Sequence, residues 1–213
     1  MVLQACAGRS PLLRDETPKE LPFLLTFTDQ ATYSMNLPLL RESVLPEGAK
    51  EVRVWTGFGT VAPDFLLRFQ IEPNGDLTGT MLAHFMRAPE DNAYNESVRS
   101  VLRAMCTSVQ SNEAADSCAA TASQEVHWKT IYRKLVREGL WTLPDESELP
   151  KPKFTLSDGS SIVVELRDGK SYRTYQYSNP LMLEGVAAEH AYALMRISGD
   201  ITGPVFARAL PLG

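Results

Sequence analysis

The segment SSIVVELRDGKSYRTYQYSNP, residues 160–180, carries the clearest fold signal in the chain. Ile162 to Leu166 form a short apolar run rich in β-branched residues, and Tyr172 to Tyr177 place aromatic side chains at strand-like spacing. Both patterns are typical of β-strands, and the Asp168-Gly169 pair between them is a tight-turn signal. The segment therefore predicts a β-hairpin against which the flanking helices can pack.

The loop of this hairpin determines which residues face each other across it. A two-residue turn at Asp168-Gly169 would set Arg167 opposite Lys170, and like charges directly opposite each other destabilise a strand pair. A three-residue loop with Gly169 in the left-handed conformation avoids that pair, so the sequence favours the longer loop.

Three more strands are predicted upstream of the hairpin. They cover Glu51 to Thr56, Asp64 to Ile71 and Leu77 to Phe85, with glycine- and proline-containing turns between them. Consecutive short strands joined by short turns favour an antiparallel sheet. Gly79, inside the third strand, predicts either a bulge or a point of close approach to the backbone.

Two helices are predicted from residues that repeat at helical spacing. Ser123 to Glu138 contains an apolar stripe, and Gly139 follows as a typical helix stop. The second helix covers about Glu184 to Ile197, with Gly199 as its expected end and either irregular structure or a single short strand beyond it.

Other segments are less distinctive. Phe23 to Thr28 is predicted as a strand followed by a polar loop, and Phe154 to Leu156 as a short strand. Leu37 to Leu45 suggests a short helical turn. The apolar residues of Val98 to Met105 fit a helix face and partly fit a strand face, and the neighbouring sheet favours the strand.

Together these patterns predict an α+β fold, in which an antiparallel β-sheet is packed by two main helices. The sheet combines the N-terminal meander with the C-terminal hairpin. Residues 1–22 are predicted to be a flexible tether that precedes the domain, because Ala7 to Leu21 is polar and contains prolines. Residues 23–213 then form one domain, within which residues 23–110 and 120–213 are candidate lobes.

No sequence motif indicates catalysis. A net charge of −5 provides no general attraction for nucleic acid. Neither a Gly-x-Ser-x-Gly nor a Ser-x-x-Lys motif marks a nucleophile. The Gly57-x-Gly59-x-x-Ala62 pattern is followed by a predicted strand, whereas a dinucleotide-binding loop requires a helix at that point. We therefore expect a non-catalytic protein without a cofactor.

The three histidines do not indicate a metal site. His84, His127 and His190 lie on separate predicted elements and lack the spacing of metal ligands. His190 falls on the apolar stripe of its helix, where a partly buried, hydrogen-bonded histidine is the expected state.

The N-terminal residues resemble the end of a bacterial lipoprotein signal peptide. Leu3, Ala5 and Cys6 match that pattern, and Gln4 is a less usual residue at its position. Neither a basic region nor an apolar region precedes them in this sequence. Two interpretations follow: a shortened signal peptide that ends at a lipid-modified Cys6, or a cytoplasmic N-terminus with an incidental cysteine.

Cys106 and Cys118 bracket a small polar segment. In an exported protein such a pair predicts a disulfide that closes a short loop, whereas in the cytosol both would stay reduced. No Cys-x-x-Cys spacing indicates zinc binding or redox chemistry.

One set of side chains is a candidate ligand-binding face. Tyr172, Arg173, Tyr175 and Tyr177 on the hairpin, with Trp55 on an upstream strand, are residues that bind sugars, peptides or lipid headgroups. The alternative is that one parity of these residues packs beneath a helix and the other lies on an ordinary sheet face.

The chain resembles uncharacterised bacterial envelope lipoproteins in its segments VRVWTGFG, DFLLRF, WKTIYRKLVREGLWTLPD and IVVELRDGKSYRTYQYSNP. The resemblance implies export, an α+β fold and a lipid anchor on Cys6 that holds the protein on the periplasmic side of a membrane. Ala7, in place of Asp after the cysteine, implies sorting to the outer membrane in a Gram-negative host. The resemblance to these lipoproteins implies no enzymatic activity.

The expected function is therefore a binding or structural role in the bacterial envelope, with a cytoplasmic location as the alternative. Two other functional classes remain. One is a periplasmic module that binds a small ligand, peptide or glycan. The other is a hydrolase whose residues are distant in sequence, which would need a pocket that brings a histidine to a serine or a carboxylate.

Overall fold

The structure, a computed structural model, describes residues 23–58, 63–87, 92–120, 126–151 and 159–209. The predicted tether with Cys6, and the strand predicted at 154–156, lie outside the described residues.

One antiparallel sheet organises the chain, as predicted. Its seven strands are β1 (Lys50–Gly57), β2 (Asp64–Ile71), β3 (Leu77–Met86), β4 (Gln110–Ser111), β5 (Ala115–Ala119), β6 (Ser161–Asp168) and β7 (Ser171–Ser178). Their order in the sheet is β4-β5-β3-β2-β1-β6-β7, and every adjacent pair is antiparallel. Because β1 pairs with β6, both candidate lobes contribute strands to the same sheet.

The α+β fold is confirmed, but within the described residues four helices rather than two cover the sheet. They are α1 (Phe23–Ser34), α2 (Asn92–Met105), α3 (Trp128–Arg137) and α4 (Val186–Ala209). Short 3-10 turns occur at Leu40–Glu42, Glu146–Glu148 and Pro180–Met182, the first of them inside the predicted helical turn. Helices α2, α3 and α4 pack on one face of the sheet, which we call the three-helix face. Helix α1 packs on the opposite face, which we call the α1 face.

The prediction of a strand at Phe23 to Thr28 was wrong, because these residues begin α1. Buried residues recur along this helix at Leu24, Thr28 and Ala31, which is the 3.6-residue period of a helix. The short run FLLTFT does not separate the two periods, and the segment predicted to be a polar loop completes the helix.

The strand favoured for Val98 to Met105 was also wrong. These residues form the second half of α2, with the four apolar side chains of the helix interpretation buried in the core: Val98, Val101, Leu102 and Met105. The predicted strands before this segment had favoured another strand. Apolar residues at i, i+3, i+4 and i+7, however, come together on one face only when the segment is helical.

Helix α4 does not end at Gly199 and continues to Ala209. The buried stripe extends through Ser198, Thr202 and Val205, so packing against the sheet keeps the chain helical past the glycine and past Pro204. Tertiary packing therefore overrides two residues of low helix propensity.

The hairpin was predicted correctly, but its loop differs from both predicted forms. The loop is Gly169-Lys170, with Asp168 paired to Ser171 and Arg167 paired to Tyr172. Gly169 has a φ of +57°, so its predicted left-handed conformation is confirmed. Moving the two-residue turn one position along the chain removes the clash between Arg167 and Lys170 without a longer loop.

Gly79 is a point of close approach, as predicted. A Cβ atom on this residue would lie 2.2 Å from Cδ2 of Trp128, the first residue of α3. Only glycine lets the indole lie against the sheet backbone. The ring of Trp128 also packs edge-on to Phe69, with ring centroids 5.8 Å apart.

Cys106 and Cys118 are brought to disulfide distance, with their sulfur atoms 2.01 Å apart. Cys106 directly follows α2, and Cys118 lies on β5. The cross-link therefore attaches the end of α2 to the sheet, and the predicted pairing agrees with this geometry.

Candidate ligand-binding cleft

The residues predicted as a binding face are not gathered on one exposed surface. Tyr175 and Tyr177 are fully buried on the three-helix face, where their hydroxyls donate hydrogen bonds to the carbonyls of Leu140 (2.8 Å) and Pro144 (2.6 Å). Arg173 lies on the same face and donates to the Trp141 carbonyl at 2.8 Å. These side chains attach β7 to the segment after α3.

Trp55 and Tyr172 lie on the opposite α1 face and are also fully buried. Both donate to the carboxyl group of Glu165, Trp55 Nε1 at 2.8 Å and the Tyr172 hydroxyl at 3.1 Å. Because successive side chains of a strand point to opposite faces of the sheet, the predicted aromatic residues are divided between the interiors of the two faces. These side chains build the fold and leave no aromatic surface for a ligand.

Several charged side chains lie close to this aromatic pair, three of them buried and the fourth, Arg68, partly buried. Glu51, Arg53, Arg68 and Glu165 lie on the α1 face of β1, β2 and β6, and we call them the charged layer. Arg68 donates two hydrogen bonds to Glu51, both at 2.8 Å, and Arg53 Nε donates another at 2.8 Å. Arg53 Nη2 donates to the Pro38 carbonyl at 2.9 Å, which attaches the segment after α1 to the sheet.

The charged layer contains two glutamates with opposite pKa shifts. Burial opposes ionisation of Glu51, but hydrogen bonds and charge from Arg68 and Arg53 outweigh it and hold the pKa of Glu51 below its ordinary value. Burial raises the pKa of Glu165, and the positive charge of Arg53 only partly opposes that rise. The layer therefore contains one carboxyl group whose ionised form is stabilised by its neighbours and one whose ionised form is penalised by burial.

A cleft of about 470 Å³ lies beside the charged layer, between α1 and the end of β3. Its walls combine apolar and polar side chains: Asp29, Gln30, Tyr33, Ser34, Leu39, His84, Met86, Asn112, Ala114 and Ala115. The first four come from α1, and the last three come from β5 and the turn before it. A volume of this size suits a small organic molecule.

His84 is the unusual residue of this cleft. It is 1% exposed, and neither ring nitrogen has a hydrogen-bond partner among the described residues. The nearest acidic group is Asp64, whose Oδ2 lies 4.0 Å from His84 Nδ1, too far for a hydrogen bond. The other carboxylate oxygen, Oδ1, accepts the backbone N–H of Phe58 at 2.6 Å.

The sheet register sets His84 between Asp64 on β2 and Ser117 on β5. This row has the residue types of a hydrolase triad, but its geometry does not activate a nucleophile. The Ser117 hydroxyl donates to the Ser34 carbonyl at 3.3 Å, and His84 makes no hydrogen bond to a serine of the described chain. A catalytic base must lie within hydrogen-bond reach of the hydroxyl that it deprotonates.

The other two histidines lie away from the cleft. His190 Nδ1 is 2.9 Å from Glu138 Oε2, which agrees with the partly buried, hydrogen-bonded state expected for it. His127 is exposed at the start of α3. Within the part of the chain that the structure describes, no three His, Cys, Asp or Glu side chains are grouped to hold a metal ion.

A second, smaller cleft of about 270 Å³ lies at the end of α2, beside Cys106. Arg99 and Arg103 line it, which raises the question of an anion site. Arg99, however, already forms ion pairs with Glu96 and Asp116. Its charge is neutralised within the protein, so we do not regard this cleft as the main site.

The sequence offered little sign of the His84 cleft. His84 shares the parity of Thr78 and Thr80, which are exposed, so a strand pattern alone places it on a solvated face. Its burial depends on α1, which the same sequence had suggested to be a strand.

No helix within residues 23–58, 63–87, 92–120, 126–151 and 159–209 is both long and apolar enough to cross a membrane. Comparison with protein-family models and with curated proteins found no match to this chain.

Proposed function

We propose that this protein is a non-catalytic binding protein of the bacterial cell envelope, held to a membrane through Cys6, that takes a small molecule into the cleft beneath α1. The observation that carries the binding role is His84, a buried imidazole without a hydrogen-bond partner in a cleft of about 470 Å³. A buried polar group left unpaired costs about 1–3 kcal/mol, and a ligand that pairs it recovers that free energy.

The proposed location has separate support. The N-terminal residues resemble a lipobox, and the Cys106–Cys118 pair lies at disulfide distance. Structural disulfides persist in oxidising compartments such as the periplasm. Both features are consistent with a protein that leaves the cytoplasm.

Cell fractionation tests the anchor. Expressed from its native locus, the protein should be found with membranes and should incorporate a labelled fatty acid. Cys6→Ser should move it to the soluble fraction, whereas Cys106→Ser should remain membrane-bound. If Cys6→Ser fractionates like the wild type, the lipid anchor is excluded.

Filling the cleft tests the binding role. Titration with N-phenyl-naphthylamine, a dye that fluoresces in apolar sites, should show saturable binding to the wild-type protein. Ala114 is an exposed residue of the cleft wall, so Ala114→Trp should block the cleft and weaken dye binding roughly tenfold or more. Ala104→Trp is the matched control, because Ala104 is exposed on α2 outside the cleft. Equal dye binding by both variants would contradict the proposal.

A further inference from the structure

We infer that the His84 cleft selects neutral, largely apolar molecules that carry a hydroxyl group, and that His84 Nε2 accepts the hydrogen bond from that hydroxyl. This inference rests on the binding function proposed above and adds the chemical class of the ligand. It follows from the surroundings of the imidazole, from the charges at the cleft and from its walls.

The position of Asp64 favours one form of the imidazole. His84 Nδ1 lies 4.0 Å from Asp64 Oδ2, and a carboxylate accepts hydrogen bonds. Its negative charge favours a proton on Nδ1. Since Oδ1 is held by the N–H of Phe58, the orientation of the carboxylate is fixed. In a neutral imidazole with its proton on Nδ1, the other nitrogen, Nε2, is an acceptor.

The cleft lies on the other side of β3 from Asp64. Asp64 belongs to β2, whereas Ala115 of β5 lines the cleft, and β3 runs between these two strands. A ligand in the cleft therefore approaches His84 from the side away from Asp64, and it reaches the buried Nε2 only by displacing the side chains that cover the ring. Met86 also lines the cleft and is 40% exposed, and its flexible side chain is able to make room for the polar group of a ligand.

The charges around the cleft argue against an anionic ligand. No lysine or arginine is among the residues that line it. Asp29 in its wall is already paired with Arg41, and Asp64 lies behind the imidazole. A carboxylate or phosphate brought into the cleft would find the nearby cation, Arg41, already paired with Asp29, and no lysine or arginine among the described lining residues to balance its charge.

The remaining walls suit an apolar body. Tyr33, Leu39, Met86 and Ala115 supply aromatic and aliphatic surface. Asn112 offers less polar capacity than its side chain suggests, because its Oδ1 already accepts the backbone N–H groups of Ala114 and Ala115 at 2.9 and 2.8 Å. His84 is thus the buried group of the cleft that most needs a polar partner.

Three matched probes test this inference: decanol, decyl methyl ether and decanoate. They share an apolar chain and differ in whether the polar end donates a hydrogen bond, only accepts one, or carries a negative charge. Displacement of N-phenyl-naphthylamine should show decanol binding roughly tenfold more tightly than the ether, the effect of one buried hydrogen bond. Decanoate should bind more weakly than decanol.

Variants assign the preference to His84. His84→Phe keeps an aromatic ring but has no acceptor, so the two neutral probes should bind it equally. His190→Phe alters a histidine remote from the cleft and should retain the preference for decanol. In the wild-type protein, the ¹⁵N resonance of His84 Nε2 should shift with decanol and not with the ether, a readout that does not depend on a folded variant.

The outcomes separate the two proposals. Equal binding of all three probes, or tighter binding of decanoate, would overturn the hydroxyl preference while leaving the cleft as a binding site. Absence of saturable dye binding would overturn the proposed binding function itself. A decanol preference that survives in His84→Phe would show that another group recognises the hydroxyl, and would overturn the role of His84.

Discussion

The two faces of the sheet bury their side chains by different means. On the three-helix face the interior is largely apolar, and the Tyr175 and Tyr177 hydroxyls donate to backbone carbonyls. Its buried charge, Asp116, lies near the edge of the sheet and is paired with Arg99 of α2. On the α1 face one helix covers a smaller apolar cluster, next to the charged layer and the His84 cleft. Here Arg53 Nη1 and both His84 nitrogens are buried without hydrogen-bond partners among the described residues.

This difference indicates that the α1 face contributes less to the stability of the fold than an apolar face would. Burying ion pairs rarely stabilises a protein relative to an apolar core of the same volume, and an unpaired imidazole is destabilising. Apolar burial accounts for most of the three-helix face, where the buried carboxylate of Asp116 is paired with arginines. The α1 face retains groups that an apolar core would not require, which is why we place the binding site there.

The largest effect is expected from removing the central cation of the charged layer. Arg53→Leu deletes the charge beside Glu51 and Glu165 and the hydrogen bond to the Pro38 carbonyl. Breaking a buried ion pair at one partner costs about 3–5 kcal/mol, so the free energy of unfolding in urea should fall by that amount. Arg133→Leu, at an exposed position of α3, is the control and should change stability by less than about 0.5 kcal/mol. A similarly small loss for Arg53→Leu would mean that the layer contributes no net stability.

Two adjacent leucines compare the faces directly. Leu67 points to the three-helix face and Leu66 to the α1 face, and both are fully buried on β2. Leu67→Ala should cost about 4 kcal/mol, because three helices hold its surroundings in place. Leu66→Ala should cost about 2.5 kcal/mol, because a single helix beside a cleft can relax into the cavity.

Urea unfolding of the two alanine variants measures this difference, with the wild type as their common reference. A cost for Leu66→Ala equal to or above that of Leu67→Ala would show that the α1 face is packed as rigidly as the other. That result would contradict the proposal that the α1 face relaxes more easily than the three-helix face.

The same contrast explains how much of the fold was predictable from the sequence. Strands β1, β2, β3, β6 and β7 were predicted because alternation and turn signals are local features. The two misassigned segments, Phe23 to Thr28 and Val98 to Met105, are short apolar runs that fit both periods. Tertiary contacts decided them in favour of helix, as they also carried α4 past Gly199.

The site was much less predictable than the fold. Tyr172 and Tyr175 were candidates because aromatic residues recognise ligands, but residues with that chemistry also build cores, and here both are buried. His84 becomes a candidate only when α1, β3 and β5 are placed together. No local pattern in the sequence encodes that juxtaposition.

The disulfide provides a moderate test on the three-helix face. Replacing both Cys106 and Cys118 by alanine should lower the free energy of unfolding by about 3 kcal/mol, since their separation of 12 residues closes a short loop in the unfolded chain. Urea unfolding of the wild type with and without dithiothreitol should show a comparable loss. Thiol titration of the denatured, unreduced protein should leave both sulfurs unreactive, and two free thiols would refute the oxidised state.

The smallest expected effect distinguishes the two glutamates of the charged layer by pH. The pKa of Glu51 is lowered in the folded state, so its contribution to stability is present above its unfolded pKa and is lost as the pH falls through its folded pKa. The pKa of Glu165 is raised by burial, so its contribution is complete below its unfolded pKa and is lost as the pH rises through its folded pKa. The two residues therefore impose opposite slopes on the stability of one face.

Glutamine variants measured across pH separate these slopes. Glu51→Gln should reduce the loss of stability on acidification and lower stability at neutral pH. Glu165→Gln resembles the protonated acid and can still pair with Trp55 and Tyr172, so it should cost less than about 1 kcal/mol in acid and remove the loss of stability as the pH rises. If Glu165→Gln is instead as destabilising at neutral pH as Glu51→Gln, Glu165 is ionised in the folded protein. The α1 face would then bury a second carboxylate charge beside Arg53.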